Sequence, residues 1–460
     1  MKFTIFASVL FLLVGIGAAG AETINWPYYG SDQGGTRHSA ADQITTDNVQ
    51  NLQIAWTYRT GDVDLTGERR TSFENTPLMV NNRLYLCSPH NKVIALDPAS
   101  GEELWSFDPH EDKTVRYGNF AVCRGVTHWV DETTQPDSLC HQRIITATNE
   151  ANLFAMDADT GTPCPDFGVN GKVSMGATAP LSYEGEFQIT SAPVVVANVI
   201  ISGSAISDNV KADAPPGTVR AYDIRTGAQV WAFDPLVRDA GEDIVAGHAN
   251  VWSSLSVDTE RGLVFLPVGS ASPDFYGGER PGDNRHANSV VALRAQTGEL
   301  VWAYQTVHHD LWDFDLPAQP TLATIRQNGQ DREVVIAPTK TGFLFVLDRD
   351  TGEPVFEVKE MPVSTEGVPG EVLSPTQPVP TLPKPLVPQQ LSPDDAWGLT
   401  FFDRAACKKV IEGAVSDGLF TPPTTKPFII FPGTGGGANW GSGAFDERSG
   451  LFVINTSRVA

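Results

Sequence analysis

Five times the chain repeats one short phrase, and that repetition limits what it can fold into. The phrase is a hydrophobic strand ending in or near Asp, a Thr-Gly or Ser-Gly turn, and a second strand that often holds Trp. It reads ALDPASGEELWSFDP from Ala95, AMDADTGTPCPDFG from Ala155, AYDIRTGAQVWAFDP from Ala221, ALRAQTGELVWAYQT from Ala292 and VLDRDTGEPVFEV from Val346. Gly101, Gly161, Gly227, Gly298 and Gly352 mark the turns, at position differences of 60, 66, 71 and 54. SVDTERGLVFLPVG from Ser256 and AFDERSGLFVIN from Ala444 are related hairpins. A period of this size carried by strands alone predicts an all-β fold of four-stranded blades. Such a blade cannot bury both faces by itself, and radial stacking into a β-propeller covers them. A tandem array of separate β domains would need longer spacings. About six blade-sized units are present before Ala460.

The bulk numbers agree with this. Of 460 residues, 41% are hydrophobic, enough for a large core, and 42 glycines and 33 prolines fall between strand-like runs as turn punctuation. The balance of 32 basic against 55 acidic residues gives −23, which excludes a nucleic-acid or anionic-membrane binder of the usual basic kind.

Lys2, an apolar run over 6–16 and the small residues Ala19-Gly20-Ala21 predict a signal peptide, 1–21, cut after Ala21. The run is short for a membrane anchor, and no later segment is long or apolar enough to span a bilayer. The expected mature chain, 22–460, is one exported propeller domain without a transmembrane segment, periplasmic in a Gram-negative source. Of five cysteines (Cys87, Cys123, Cys140, Cys164 and Cys407) at least one must stay free within a single chain, and Cys123 with Cys140 is the expected pair. No C-x-x-C-H or C-x-x-C spacing is present, so neither covalent haem nor a thiolate metal site is encoded.

The stretch 297–320, TGELVWAYQTVHHDLWDFDLPAQP, is where chemistry concentrates. A strand with alternating Leu300, Trp302 and Tyr304 exits into His308, His309, Asp310, Trp312, Asp313 and Asp315, and Pro317 and Pro320 prevent a helix there. Chemistry alone leaves two readings open, a catalytic edge or a solvated acidic loop. Nine prolines over 359–395 predict an extended surface insertion, 359–396, without strands. Apolar spacing predicts a short helix over 402–418 and a buried strand over 451–455.

The repeat resembles the tryptophan-docking motif of the pyrroloquinoline quinone (PQQ) dehydrogenases, which are eight-bladed propellers. VWAYQTVHHDLWDFDLPAQPTLA from Val301 is similar to the membrane-bound-type glucose dehydrogenases, as are WPYYGSDQGGTRHS from Trp26, CRGVTHW from Cys123 and APTKTGFLFVLDRDTG from Ala337. Quinate and polyol dehydrogenases share much of the pattern. The resemblance covers the chain from Trp26 onward. It implies further blades beyond the six seen here, so an incomplete C-terminal side. It also implies a PQQ site in a central channel, a bound Ca²⁺ or Mg²⁺, a sugar, polyol or cyclic alcohol as substrate, and a membrane quinone or external carrier as electron acceptor.

The resemblance also assigns roles. Trp252 would stack on the quinone ring, His128 would face its other side, and Glu74, Arg124, Thr190, Ser191 and, near the C-terminus, Asn455 would contact it, with Asn439, Trp440 and Arg220 as looser candidates. An indole face suits a conjugated ring and a guanidinium suits a carboxylate. Asp313 would take the alcohol proton and Lys340 would bond the quinone carbonyl. Asp208, Asn209 and Asp313 would supply the oxygen donors that a hard cation prefers. Ser272 stands where alcohol-oxidising relatives have Asn. His308 and His309 read as structural or substrate-side groups, since hard cations do not favour imidazole. The rivals are a non-catalytic propeller scaffold, which would have no use for Arg124, Trp252, Asp313 and Lys340 together, and a truncated, inactive relative, which would have no use for intact motifs.

Overall fold

The computed structural model describes residues 24–67, 70–236 and 244–460. The expected leader, 1–21, lies outside them. Antiparallel sheets dominate. Four have four strands in sequence order: Leu78–Val80, Arg83–Cys87, Val93–Leu96 and Glu103–Phe107; Thr127–Val130 to Lys172–Ser174; Val194–Val196 to Gln229–Phe233; and Ser256–Asp258 to Leu300–Gln305. A fifth has three strands, Thr321–Gln327, Gln330–Pro338 and Leu344–Asp348, and a hairpin of Gly443–Asp446 and Leu451–Ile454 follows near the C-terminus. No described helix is long and apolar enough to cross a membrane.

The first, third and fourth copies of the phrase form the turn and outer strand of their sheets, while the second reaches its outer strand only at Lys172–Ser174 and the fifth follows the last strand of a three-stranded sheet. At the start of the phrase an Asp carboxylate caps the turn: Asp97 Oδ1 accepts from the Ser100 amide at 2.7 Å and Asp223 Oδ1 from the Thr226 amide at 2.8 Å. The glycine follows with φ near +72°, at +73° in Gly161 and +72° in Gly298, a conformation L-residues avoid. The tryptophan then docks on the glycine of the next copy. A Cβ on Gly161 would lie 2.5 Å from Trp105, one on Gly298 2.7 Å from Trp231, and one on Gly352 2.5 Å from Trp302. The indole N–H groups donate across the same seams, Trp105 to Ala158 O at 3.0 Å, Trp231 to Ala295 O at 2.9 Å and Trp302 to Arg349 O at 3.1 Å. The second copy has no Trp, and there Gly227 meets Val173 instead.

Packing follows the same succession. One buried cluster joins the first and second sheets around Leu78, Trp105 and Ile144, and the next joins the second and third around Ile145, Leu153 and Ile200. Val219, Trp231 and Val291 join the third and fourth; Phe265, Trp302 and Phe345 the fourth and fifth. Phe445 and Phe452 bring the C-terminal hairpin onto the fifth. The segment 26–37 crosses this series. Trp26 bonds Met79, Gln33 bonds Val195 and Val257, Gly34 O accepts from Leu322 N, and Thr36 O accepts from Phe445 N. One short segment touches sheets one, three, four and five and the hairpin only because their inner edges converge.

Four expectations need correction. Cys123 pairs with Cys87 and Cys140 with Cys164, leaving Cys407 free. Cys123 and Cys140 cannot meet because they lie in the seams on opposite faces of the second sheet. The proline-rich insertion does hold strands, Val358–Pro362 and Thr376–Pro380, paired in antiparallel register with Met361 opposite Gln377. The pairing is a separate two-stranded ribbon, where proline is tolerated. The helix spans Phe401–Glu412, opened by a Thr400 capping box and closed at Gly413. The last strand is not buried: Leu451 is 60% and Val453 65% exposed, because alternation turns only Phe452 and Ile454 toward the fifth sheet.

Candidate active site

The loop leaving the strand Leu300–Gln305 is held from behind. The buried Asp310 carboxylate accepts from the amides of Trp312 at 3.1 Å and Phe314 at 2.9 Å, and from Asn288 Nδ2 at 3.2 Å. Trp312 and Phe314 sink into a core with Phe420, and Trp312 Nε1 donates to Thr421 O at 2.6 Å. Asp313, at φ +58°, and Asp315 are left to face the other way. Opposite them Lys340 stands on the turn after Gln330–Pro338, closed by Gly342 N to Thr339 O at 2.9 Å.

Lys340 Nζ donates to Asp313 Oδ1 at 2.7 Å and to Asp315 Oδ2 at 2.8 Å. Asp315 Oδ2 also accepts from Trp252 Nε1 at 3.2 Å, and Asp315 Oδ1 from the Ser270 amide at 2.6 Å. Arg124 continues the series. Its guanidinium lies 5.3 Å from the Trp252 ring centroid and 5.2 Å from that of Trp440, and it pairs with Glu74 at 2.9 Å. Its Nε is buried with no partner. Thr190 and Ser191 donate to Trp252 O at 3.0 and 2.7 Å and so fix the indole's backbone. A cavity of ≈ 290 Å³ is lined by Arg124, Thr190, Asp208, Trp252, Asp315 and Lys340 among others, and Asp313 stands behind Lys340, outside that lining. Larger hollows of ≈ 920 and ≈ 680 Å³ lie near Glu333 and Phe452; the first is also rich in charge, with Asp258, Glu333 and Arg349, but neither brings a buried lysine and an indole face together.

Electrostatics divides the carboxylates. Burial pushes Asp313 well above the usual range against the pull of Lys340. Burial would raise Asp315 too, but the Lys340 charge and hydrogen bond outweigh it and hold it below its ordinary value. Burial would lower Lys340, and the charges of Asp315 and Asp313 outweigh that and keep it a firm cation. Asp208, walled by protein but open to the cavity, is pushed up to about 6 by burial and by Asp315. Asp274 is raised by burial and by its acidic neighbours. One ammonium thus faces four carboxylates.

Arg124, Glu74, Thr190, Ser191, Trp252, Asp313 and Lys340 therefore belong to one contact series, and Asp208 faces them across the cavity. Others are elsewhere. His128 sits in the strand Thr127–Val130 with Nε2 3.1 Å from Gln142 Oε1, away from the cavity lining. Asn455 is exposed past the last strand, and Asn439 bonds its own loop at Gly435 O, 2.8 Å away. Arg220 is buried in the third sheet outside the lining, with Nη2 unpartnered. Asn209 spends both ends of its amide on Asp274, at 2.8 and 3.1 Å. Ser272 bonds Ala212 O and the Gly247 amide. Sequence reasoning assigned no role to Asp315, although it stands two residues after Asp313 and so shares its side of an alternating WDFD. It also missed Asp274.

Among the described residues no three acidic, histidine or cysteine side chains are arranged as a ready metal cage. The expected trio Asp208, Asn209 and Asp313 is not assembled, because Asp274 engages Asn209 and Lys340 engages Asp313. The donor chemistry and the surplus of negative charge still suit a hard cation beside Asp208.

Residues 26–460 match the family described as "PQQ: Glucose/ethanol/alcohol dehydrogenase, beta-propeller domain". The chain belongs to that PQQ dehydrogenase family. It is 39% identical over 467 residues to the quinate/shikimate dehydrogenase (quinone) of Acinetobacter baylyi, covering 95% of this chain and 56% of that protein. It is 40% identical over 443 residues to the quinoprotein glucose dehydrogenase of Escherichia coli, covering 94% and 55%. The chain thus spans a little over half the length of these PQQ dehydrogenases. Among solved structures, the quinohemoprotein alcohol dehydrogenase of Comamonas testosteroni superimposes with a TM-score of 0.67 at 24% identity, over 94% of this chain and 57% of that one. The likeness to that structure supports the propeller architecture.

Proposed function

We propose that this chain forms the PQQ-binding part of an exported dehydrogenase that oxidises a hydroxyl of a sugar, polyol or cyclic alcohol. Glucose, which would give the lactone, and quinate are the substrates in the relatives' names, and the leader expected at 1–21 would direct the chain to the periplasm. The observation that carries the reading is the series Asp313–Lys340–Asp315–Trp252–Arg124, in which Lys340, Asp315, Trp252 and Arg124 line one cavity and Asp313 joins them through Lys340. Arg124, with an unpartnered buried donor, suits an anionic ligand, and Trp252 offers an aromatic face beside it.

Bound PQQ would supply the two-electron acceptor for the hydride leaving the alcohol carbon. Asp313 accepts the hydroxyl proton at a carboxylate oxygen, and its raised proton affinity makes it a stronger base there. Lys340 presents a fixed cation where negative charge develops, with Asp315 holding it in place. A Ca²⁺ or Mg²⁺ ion would be held on the Asp208 side and would act as a Lewis acid. A membrane quinone or external carrier would take the electrons onward.

The test is a titration of the purified protein with PQQ, with and without Ca²⁺ or Mg²⁺, read by Trp quenching and by dye reduction with glucose, polyols and quinate. Saturable quenching with substrate-dependent reduction is expected. Absence of quenching at any metal and PQQ concentration overturns the reading.

A further inference from the structure

The proline-rich insertion reaches both arms of the Asp313–Lys340 pair. Glu371 Oε1 is 2.8 Å from His309 Nε2, and Glu371 Oε2 accepts from the Gly277 amide at 2.7 Å. Both side chains of the Glu371–His309 pair are only 1% exposed. His309 Nδ1 lies 2.7 Å from Gly282 O, so polar contacts hold the imidazole on both of its ring nitrogens. One residue earlier, Gln377 holds the His308 backbone in both directions, accepting from its amide at 2.9 Å and donating to its carbonyl at 2.7 Å. Leu373 packs into the core that holds Trp312 and Phe314. Further along, Leu386 N donates to Gly342 O at 2.8 Å and Gln389 Nε2 to Thr341 O at 3.1 Å, on the turn that carries Lys340. His309 and Asp313 both sit at positive φ, +45° and +58°, conformations that persist only where the surroundings impose them.

We infer that the insertion 359–396 is a brace for the base–lysine pair, and that Glu371 is its positioning residue, acting on Asp313 through His309. This rests on the dehydrogenase reading for its catalytic readout only. A buried carboxylate that joins two loops and lies outside the lining of the cavity beside Trp252 has a geometric task. Loss of it releases the loop four residues before Asp313 while leaving Arg124, Trp252 and their ligand contacts alone. Misplacing a reacting group by about 1 Å can cost about 100-fold in rate.

Glu371→Ala in the full chain is the test, with Glu371→Gln as the conservative variant that keeps an acceptor for Gly277. Expected are a fall in kcat of about 10- to 100-fold for Ala, a smaller fall for Gln, and a PQQ Kd within about threefold of the parent. Independently of cofactor, amide hydrogen exchange in 308–315 should quicken at least about tenfold while that of 119–125 stays unchanged. If Glu371→Ala does not fold, Gln377→Ala removes the second hold on the same loop and should show the same pattern at smaller amplitude. Unchanged exchange in 308–315 overturns the brace. So does a parallel loss of kcat, PQQ affinity and exchange protection throughout the chain. A parent protein that binds no PQQ refutes the proposed function instead, and the exchange arm still decides the brace.

Discussion

The seams between sheets and the floor of the cavity are held by different forces. At the seam of Trp231 on Gly298, apolar surface, shape and one indole hydrogen bond do the holding, and other seams add ion pairs at their rims, Arg225 with Asp131 and Arg349 with Asp258. At the floor Asp313 and Asp315 each lie within 2.8 Å of the buried Lys340 ammonium, and such buried charges cost stability unless every partner is in place. The seam tolerates only a narrow set of shapes and repeats. The floor tolerates only a narrow set of charges and occurs once. Fold and chemistry are thereby kept apart, and substitutions should separate them.

The largest separation is expected from Asp313→Asn. Dye reduction should fall about 10²–10⁴-fold while PQQ still binds and the melting temperature changes little. A melting temperature lowered as far as by a seam mutation would mean that the floor is scaffolding. Trp231→Ala should do the reverse, costing about 3–5 kcal/mol in denaturant unfolding while the folded fraction binds PQQ normally. A stability loss below about 1 kcal/mol would remove docking as the source of seam strength. Next in size is the covalent tie in the first seam. Cys87→Ala with Cys123→Ala should cost about 2–4 kcal/mol, and an unaltered denaturation midpoint would show that the seam carries itself.

The smallest effect tests burial without a counter-charge. Glu111, bonded to the Glu150 amide at 3.1 Å and Asn149 at 3.3 Å, is pushed by burial up to about 7. Its folded form holds a proton that the unfolded form releases, so stability should decline as pH rises from the ordinary 4.5 to about 7. Glu111→Gln should remove about 2–3 kcal/mol of that decline between pH 4.5 and 8. Parallel stability–pH curves for the two proteins would contradict it.

The seams were legible in the sequence because their parts are local. Asp97, Ser100 and Gly101 make a turn whatever lies around them, and the Trp two strands' reach away recurs at a fixed offset. The floor was legible only in part. Resemblance named Asp313, Lys340, Trp252 and Arg124, which the fold brings into one contact series, but it could not see that Lys340 divides itself between Asp313 and Asp315. It also put His128 at the ring, whereas the strand Thr127–Val130 turns that side chain onto Gln142. Cysteine pairing failed for a physical reason: spacing along the chain carries no record of which face of a sheet a residue enters. The prolines misled because a two-stranded ribbon has free edges that accept them. His308 and His309 read as structural or substrate-side groups, and nothing local reveals that Gln377 and Glu371 would be their partners.

The segment 26–37 has a consequence for biosynthesis. Arg37 reaches Gln319 across 282 positions and Thr321 reaches Gly35 across 286, so these partners emerge from the ribosome long after the segment itself. During translation, and during any passage through a secretion pore, this early stretch has to wait without its mates while successive sheets are made. Contacts of such long sequence range slow folding. The part of the polypeptide synthesised near the beginning is thus among the last to find its native place.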